Sequence, residues 1–293
     1  MSVASKVADW RIRKRRKDAL AKLGSYIVLG AVSIIFTIPF LTMIMISLKS
    51  DAEIFSATMN WLPKHFIWRN YVLAWTAYPF LRFTLNTVII TAMTLFGNLL
   101  SCSIVAFGFA RLRAPGREIL FYCVLASIMI PGQVTLIPVF ILFKILGWLN
   151  TFKPLIVPSF FGTNAFFIFL LRQFLKTLPQ EMEDSARVDG CGSLRLCFSI
   201  MLPLAKPALA TIAVFSFFAQ WNDFMGPLIF LTDMKKYTLA LGLKLFYSGF
   251  QGEIAQTNWI MAASVLVVLP CLVVFLFCQR YFVKGMVFTG LKG

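Results

Sequence analysis

Residues 24–48 read GSYIVLGAVSIIFTIPFLTMIMISL, twenty-five residues without a charge. A helix needs about 20 apolar residues to cross the hydrocarbon core of a bilayer, where a bare backbone finds no hydrogen-bond partner. The stretch is long enough to span. A cleaved signal sequence would have a shorter apolar core, about 7–15 residues, and would end at a small-x-small site. This stretch ends in Ser47-Leu48-Lys49-Ser50, so it reads as a retained first helix.

Working outward, residues 1–23 form a basic arm with eight Lys or Arg against Asp9 and Asp18. Downstream, apolar runs recur at about 85–110, 119–142, 155–171, 207–231 and 260–278, which makes six candidate spans. Pro39, Gly97, Pro131, Pro227 and Pro270 fall inside them, and membrane helices tolerate such residues. Met129-Ile130-Pro131-Gly132 predicts a kink in the third run.

The composition agrees. Of 293 residues, 59% are hydrophobic and 14% charged, with mean hydropathy +0.80. A soluble domain carries about 45–50% apolar and about 25% charged residues. A soluble globular domain and a disordered chain are both excluded. The net charge of +16 would suit a polyanion partner, but the basic residues sort by loop. Nineteen lie in the arm, 111–118, 172–206 and the tail after Cys278, and nine lie in the alternate loops. Lys and Arg concentrate on cytoplasmic loops, so both termini are expected inside and no nucleic acid is needed. The reading is an all-α polytopic membrane protein: a cytoplasmic arm 1–23, a six-helix domain 24–278 and a cytoplasmic tail 279–293. No repeat of 20–50 residues suggests a solenoid. The two halves show no similarity, which weighs against inverted-repeat carriers.

Catalytic chemistry is sparse. His65 is the one histidine, the six cysteines form no CxxC or Cys/His pattern, and HExxH, GxSxG and GxxxxGK[ST] are all missing. The chain is expected to bind no cofactor, to be no enzyme and to lack a nucleotide site of its own. Asp223 is the only acidic residue in the apolar runs. Intramembrane carboxylates mark ion relays, so an ion-coupled secondary carrier is the alternative. A single such residue is thin support for ion coupling, and Asp223 reads more readily as a hydrogen-bonded residue at a helix break before Gly226-Pro227.

Residues 177–203, between the fourth and fifth runs, are too patterned for a passive turn. Thr177 and Gln180 have capping-box spacing, Pro179 suits a first turn, and Glu181, Glu183 and Asp184 favour a positive helix end. Gly190 can take the left-handed conformation that stops a helix. A second short helix is expected from about Ser193 to Met201, halting before Pro203. Met182, Ala186 and Val188 offer a small apolar surface. The acidic residues argue against a rest on the negative inner leaflet, so a protein partner fits better.

Asp184-Ser185-Ala186-Arg187-Val188-Asp189-Gly190, followed after nine residues by Ile200-Met201-Leu202-Pro203, resembles the EAA motif of permease subunits of ABC importers. That motif is written E-A-A, three residues, G, nine residues, I-x-L-P. Asp184 replaces Glu and Ser185 replaces Ala. Ser47-Leu48-Lys49, Glu53-Ile54-Phe55, Asn70-Tyr71, the 109–117 stretch FARLRAPGR, Met129-Ile130-Pro131, Trp221-Asn222-Asp223-Phe224, Lys236-Tyr237-Thr238-Leu239 and the 279–285 stretch QRYFVKG are similarly placed to the MalG-type carbohydrate subfamily.

The resemblance implies a subunit of the bacterial plasma membrane, paired with a second homologous permease. Two ATPase subunits would hold ATP and magnesium, and an extracytoplasmic solute-binding protein would deliver an oligosaccharide. Nucleotide would bias the permeases between inward-open and outward-open states. Glu183, Asp184, Ser185, Ala186, Arg187, Asp189 and Gly190 would form the coupling helix that docks on the ATPase. Gly249, Gln251 and Gly252, in the 232–259 outside loop, would touch the binding protein. Sugars are held by aromatic faces and polar groups together. Asn164, Gln220, Trp221, Asn222 and Asp223 are therefore the substrate-pathway candidates, with bonding between helices as the other role open to them. A neutral maltodextrin and an acidic alginate fragment both suit the outside loops.

Overall fold

The computed structural model describes residues 3–56, 60–249 and 257–290, with side chains over 17–56, 60–245 and 257–279. Every regular element among them is helical. The chain divides into two compact units, Met1–Ala74 with Gln256–Val265, and Trp75–Ala255 with Leu266–Gly293.

In the first unit, α1 runs from Val3 to Ser47. The described residues of the basic arm are helical and continuous with the first apolar run. Residues 3–23 contain no Gly or Pro, and their Ala, Lys, Arg and Leu are strong helix formers. After Ser47 the chain turns into the short α2, Asp51–Ile54, and later into α3, Arg69–Ala77. Asn70 ties the turn down: its Nδ2 donates to the carbonyls of Ser47 and Lys49, both at 2.9 Å. Asn258, at the start of the last helix, donates to the same Lys49 carbonyl at 3.2 Å.

The second unit is organised around α4, Phe80–Arg111. The third run splits into α5, Arg117–Ser127, and α6, Gly132–Ile145, which meet at 99°. The bend falls where the kink is expected. Pro131 has no N–H to continue the ladder, and it restricts the residue before it. The fourth run is α7, Lys153–Ile156, a 3-10 turn Val157–Phe161, and α8, Ala165–Lys176. Next come α9, Glu181–Val188, then α10, Ser193–Arg195, a π-helical stretch Leu196–Met201, and α11, Leu202–Leu204. The helix expected to halt before Pro203 instead runs through it. Pro203 sits in the first turn of α11, where no donor is needed, and the wide π turn relieves the crowding. The break comes at Ala205, and α12, Lys206–Trp221, leaves at 82°. The fifth run ends early, restarting as α13, Met225–Phe230, so Asp223 lies in a break and not mid-helix. The 232–259 stretch expected as a loop carries a 3-10 turn, Met234–Lys236, and α14, Leu239–Gly249. Finally α15 spans Thr257–Gly290, so the expected tail continues the last helix.

Four helical stretches are long and apolar enough to cross a membrane, and six if each bent pair counts as one. Within the second unit, small and polar residues bring helices together, as expected where apolar burial gives little drive. A Cβ on Gly97 would overlap Ser159 Oγ and come within 2.8 Å of the Phe160 ring. Asn98 Nδ2 donates to Ser216 Oγ at 3.0 Å, and Ser101 Oγ to the Ser159 carbonyl at 2.6 Å. Asn86 Nδ2 donates to the carbonyls of Lys235 and Tyr237, at 3.0 and 2.9 Å.

Candidate functional site

The 177–203 segment belongs to the packed core of the second unit. Ala186 of α9 and Leu196, Cys197 and Met201 share one buried cluster with Phe107 of α4 and Leu171 of α8. The Thr177 capping box does not form. Thr177 ends α8, with its Oγ1 donating to the Phe174 carbonyl at 2.7 Å, and α9 starts behind Gln180. The four-residue link between the helices leaves Thr177 within the closing turn of α8.

The C-terminus of α9 behaves as expected. Gly190 has φ +78°. Its N–H donates to the Arg187 carbonyl at 3.0 Å, and the Cys191 N–H reaches back to Ala186 at 2.9 Å. These two bonds are a Schellman motif. A Cβ at Gly190 would meet nothing within 4 Å, so the backbone conformation and not space requires glycine there.

The seven coupling candidates divide by face. Asp184, Ser185, Arg187, Asp189 and Gly190 are exposed, whereas Glu183 and Ala186 are only 6% and 7% exposed. Those two point inward and anchor α9. Val188, at 88%, and Leu194, at 69%, stand out instead. Leu194 lay outside the expected set, although its position just past the Gly190 stop signals it.

Behind α9 lies a cavity of about 710 Å³, walled by Arg111, Arg113, Arg117 and Arg187 with Gln180 and Asp184. Glu183 accepts from Arg187 at 2.8 Å and lies 3.6 Å from Arg111 Nη1. Nearby, Arg172 Nη2 donates to both carboxylate oxygens of Glu118, at 2.8 and 2.7 Å, and its guanidinium sits 3.7 Å from the Phe121 ring centroid. Arg172 is 3% exposed, so the Glu118 carboxylate and the Phe121 ring together offset the cost of burying its charge.

The substrate-pathway candidates do not converge. Asn164 caps α8, its Oδ1 accepting from the Phe167 N–H at 3.2 Å. It lines a cavity of about 440 Å³ with Thr94, Asn98, Ser127, Ser159 and Thr163 among others, and none of the other four candidates lines it. Trp221 is 5% exposed, donates from Nε1 to the Val267 carbonyl at 3.2 Å and stacks on Phe217. Asn222 donates to the Phe218 carbonyl at 2.9 Å, and Asp223 Oδ1 accepts from the Gly226 N–H at 3.1 Å. Gln220 is half-buried beside them. Local hydrogen bonding occupies Trp221, Asn222 and Asp223, so the helix-break role describes Asp223. Asn98, absent from the expected set, is a better-placed polar group; a second amide in the 85–110 run, twelve residues after Asn86, was its signal.

Of the binding-protein candidates, Gly249 closes α14, and Gln251 and Gly252 lie outside the described residues. Among the described residues, no three His, Cys, Asp or Glu side chains could hold a metal ion.

Residues 99–288 match the family described as binding-protein-dependent transport system inner membrane component. The chain is 34% identical to the diacetylchitobiose uptake system permease protein NgcG of Streptomyces coelicolor, over 85% of this chain and 82% of that one. It is 30% identical to the sn-glycerol-3-phosphate transport system permease protein UgpE of Yersinia pestis, over 89% and 93%. Its fold is similar to a chain of a bacterial ABC transporter involved in the import of the acidic polysaccharide alginate. The TM-score is 0.80 at 23% identity, covering 91% of this chain and 98% of that one.

Proposed function

The chain belongs to the family of binding-protein-dependent transport system inner membrane components, and on that premise we propose that it moves an oligosaccharide inward as one of two permeases driven by two ATPase subunits. It is an ABC transporter permease of the inner membrane, a transport component that works with a solute-binding protein. In this reading the chain crosses the membrane six times with both termini inside. ATP and magnesium belong to the ATPase partners.

One observation carries the coupling role. The helix α9 presents Asp184, Ser185, Val188 and Asp189 outward, while Glu183 and Ala186 fix its other face into the core. An exposed, anchored short helix ended by a left-handed glycine is suited to take a push from a partner and pass it inward. The saccharide reading draws on the disaccharide relative and on the 440 Å³ cavity, whose named polar groups are hydroxyls and amides without a charge. Neutral hydrogen-bonding groups suit a polyol.

The test is reconstitution of the full complex, with its binding protein, in vesicles. ATP-dependent uptake of a labelled neutral oligosaccharide is expected, with none when the ATPase pair is left out. Uptake of sn-glycerol-3-phosphate in its place would overturn the saccharide assignment, and uptake without ATPase would overturn the mechanism. The ion-coupled reading rests on Asp223 alone, and its Oδ1 caps the helix break through the Gly226 N–H.

A further inference from the structure

The α4 helix ends at Arg111, so a cation stands where its own carbonyls run out. The α8 helix ends beside it, and its last carbonyls have no partner within the helix. Arg111 Nη2 donates to the Leu175 carbonyl at 2.6 Å and to the Leu178 carbonyl at 2.7 Å. From the same planar head, Nη1 faces Glu183 Oε2 of α9 at 3.6 Å. The two side chains are 9% and 8% exposed. One guanidinium therefore joins the end of α4, the end of α8 and the inner face of α9.

The other ties between these elements are of a different kind. The link from α8 to α9 is four residues, Thr177–Gln180. The shared core, through Ala186 and Leu196, is apolar. Apolar burial is non-directional and resists separation more than it resists rolling. A planar fork with two carbonyls and a carboxylate in fixed directions does set orientation.

We infer that Arg111 is the positioning residue that makes the coupling helix turn as one body with α4 and α8. The inference rests on the proposed coupling role of α9 and names the residue that transmits it. Glu183 is the second member. Arg187 also holds it at 2.8 Å, which fixes the carboxylate for Arg111.

The test compares Arg111→Gln, Arg111→Lys and Arg113→Gln in the complete reconstituted transporter with its binding protein. Three quantities are read: ATPase subunits retained on the permeases, ATP hydrolysed, and solute moved per ATP. Arg111→Gln is expected to assemble and hydrolyse ATP while solute moved per ATP falls about tenfold, within the usual range of coupling energies. Arg111→Lys is expected to fall as well, because one ammonium nitrogen cannot stand both at the Nη2 position between the two carbonyls and at the Nη1 position facing Glu183. Arg113→Gln, a change at an exposed arginine of the same wall, is expected to leave the ratio unchanged. If Arg111→Gln fails to assemble, Arg111→Lys, which keeps the charge facing Glu183, decides the matter. An assembled Arg111→Gln or Arg111→Lys complex with the parental ratio would overturn the inference. So would failure of both to assemble, which makes Arg111 a folding residue. A parental complex that moves no solute with ATP sinks the proposed function instead, so the two failures are distinguishable.

Discussion

Of the five described residues with left-handed backbone, Gly190 and Asn150 hold it for different reasons, and each invites its own substitution. Gly190 has open space around a Cβ, so only its φ of +78° is at stake. An L side chain there costs about 1–2 kcal/mol, and Asn costs less than Ala or Val. Thermal unfolding of the purified complex should rank Gly190 above Asn, then Ala, then Val, with transport falling in the same order; equal stability of the Val variant would refute the Schellman role. Asn150 is the one described non-glycine residue with positive φ, at 57°. Its Oδ1 accepts from the N–H groups of Thr232 and Asp233, at 3.3 and 3.1 Å, and Lys236 Nζ donates to its carbonyl at 2.6 Å. Asn150→Gly keeps the backbone and loses the two side-chain bonds. Asn150→Ala loses them and adds strain. At about 1 kcal/mol per net hydrogen bond, both should lower the melting temperature, Ala more than Gly. A loss for Ala no larger than for Gly would show that the positive φ adds no strain, and no loss for either would show that the two side-chain bonds contribute nothing.

At the scale of elements, the packing of α4 against the 157–161 turn depends on a missing side chain. Gly97→Ala would drive a methyl into Ser159 and Phe160, whereas a Cβ on Gly108, eleven residues along the same helix, meets nothing within 4 Å. Overpacking of this kind costs about 1–3 kcal/mol, while Gly to Ala in an open helix position gains about 0.5–1 kcal/mol. Melting curves of the two variants should therefore move in opposite directions, and a shared direction would contradict the close approach. The apolar runs were legible because membrane length is a strong signal: the runs at 85–110, 119–142 and 260–278 begin and end within a few residues of α4, of the α5–α6 pair and of the apolar part of α15, whereas the 207–231 run overshoots α12 by ten residues. So were the kink at Pro131 and the stop at Gly190, since proline and glycine act through their own backbone. The rest depends on partners far along the chain. Nothing local marks that Glu183 would turn inward to Arg111, seventy-two residues earlier, or that Thr177 would close one helix instead of opening the next. The break at Asn222–Phe224 was marked by Asn222, Asp223 and Gly226-Pro227, but the apolar residues that resume at Phe224 and run to Leu231 let the stretch also read as one span.

For the whole molecule, the two sharp bends turn the span count into a question of sidedness. A pair bent by 99° or 82° can cross the membrane, or it can turn back to the side it entered from. With the N-terminus inside, two positions resolve the possibilities. If both pairs cross, Asp189 is inside and Lys235 outside. If neither crosses, both are outside. If only the second crosses, Asp189 is outside and Lys235 inside; if only the first crosses, both are inside. Charge favours the first pattern, because turning the first pair back would put the five basic residues of 172–206 outside, against the inside bias of Lys and Arg. Asp189 and Lys235 are both exposed, so each can be made a lone cysteine once the six native ones are replaced. A membrane-impermeant maleimide added to intact cells is expected to label Lys235→Cys and to spare Asp189→Cys, with the reverse in inside-out vesicles. Labelling of Asp189→Cys from outside would place α9 beyond the reach of any cytoplasmic ATPase. The coupling role would then fall with the six-span topology, however well α9 is anchored to Arg111.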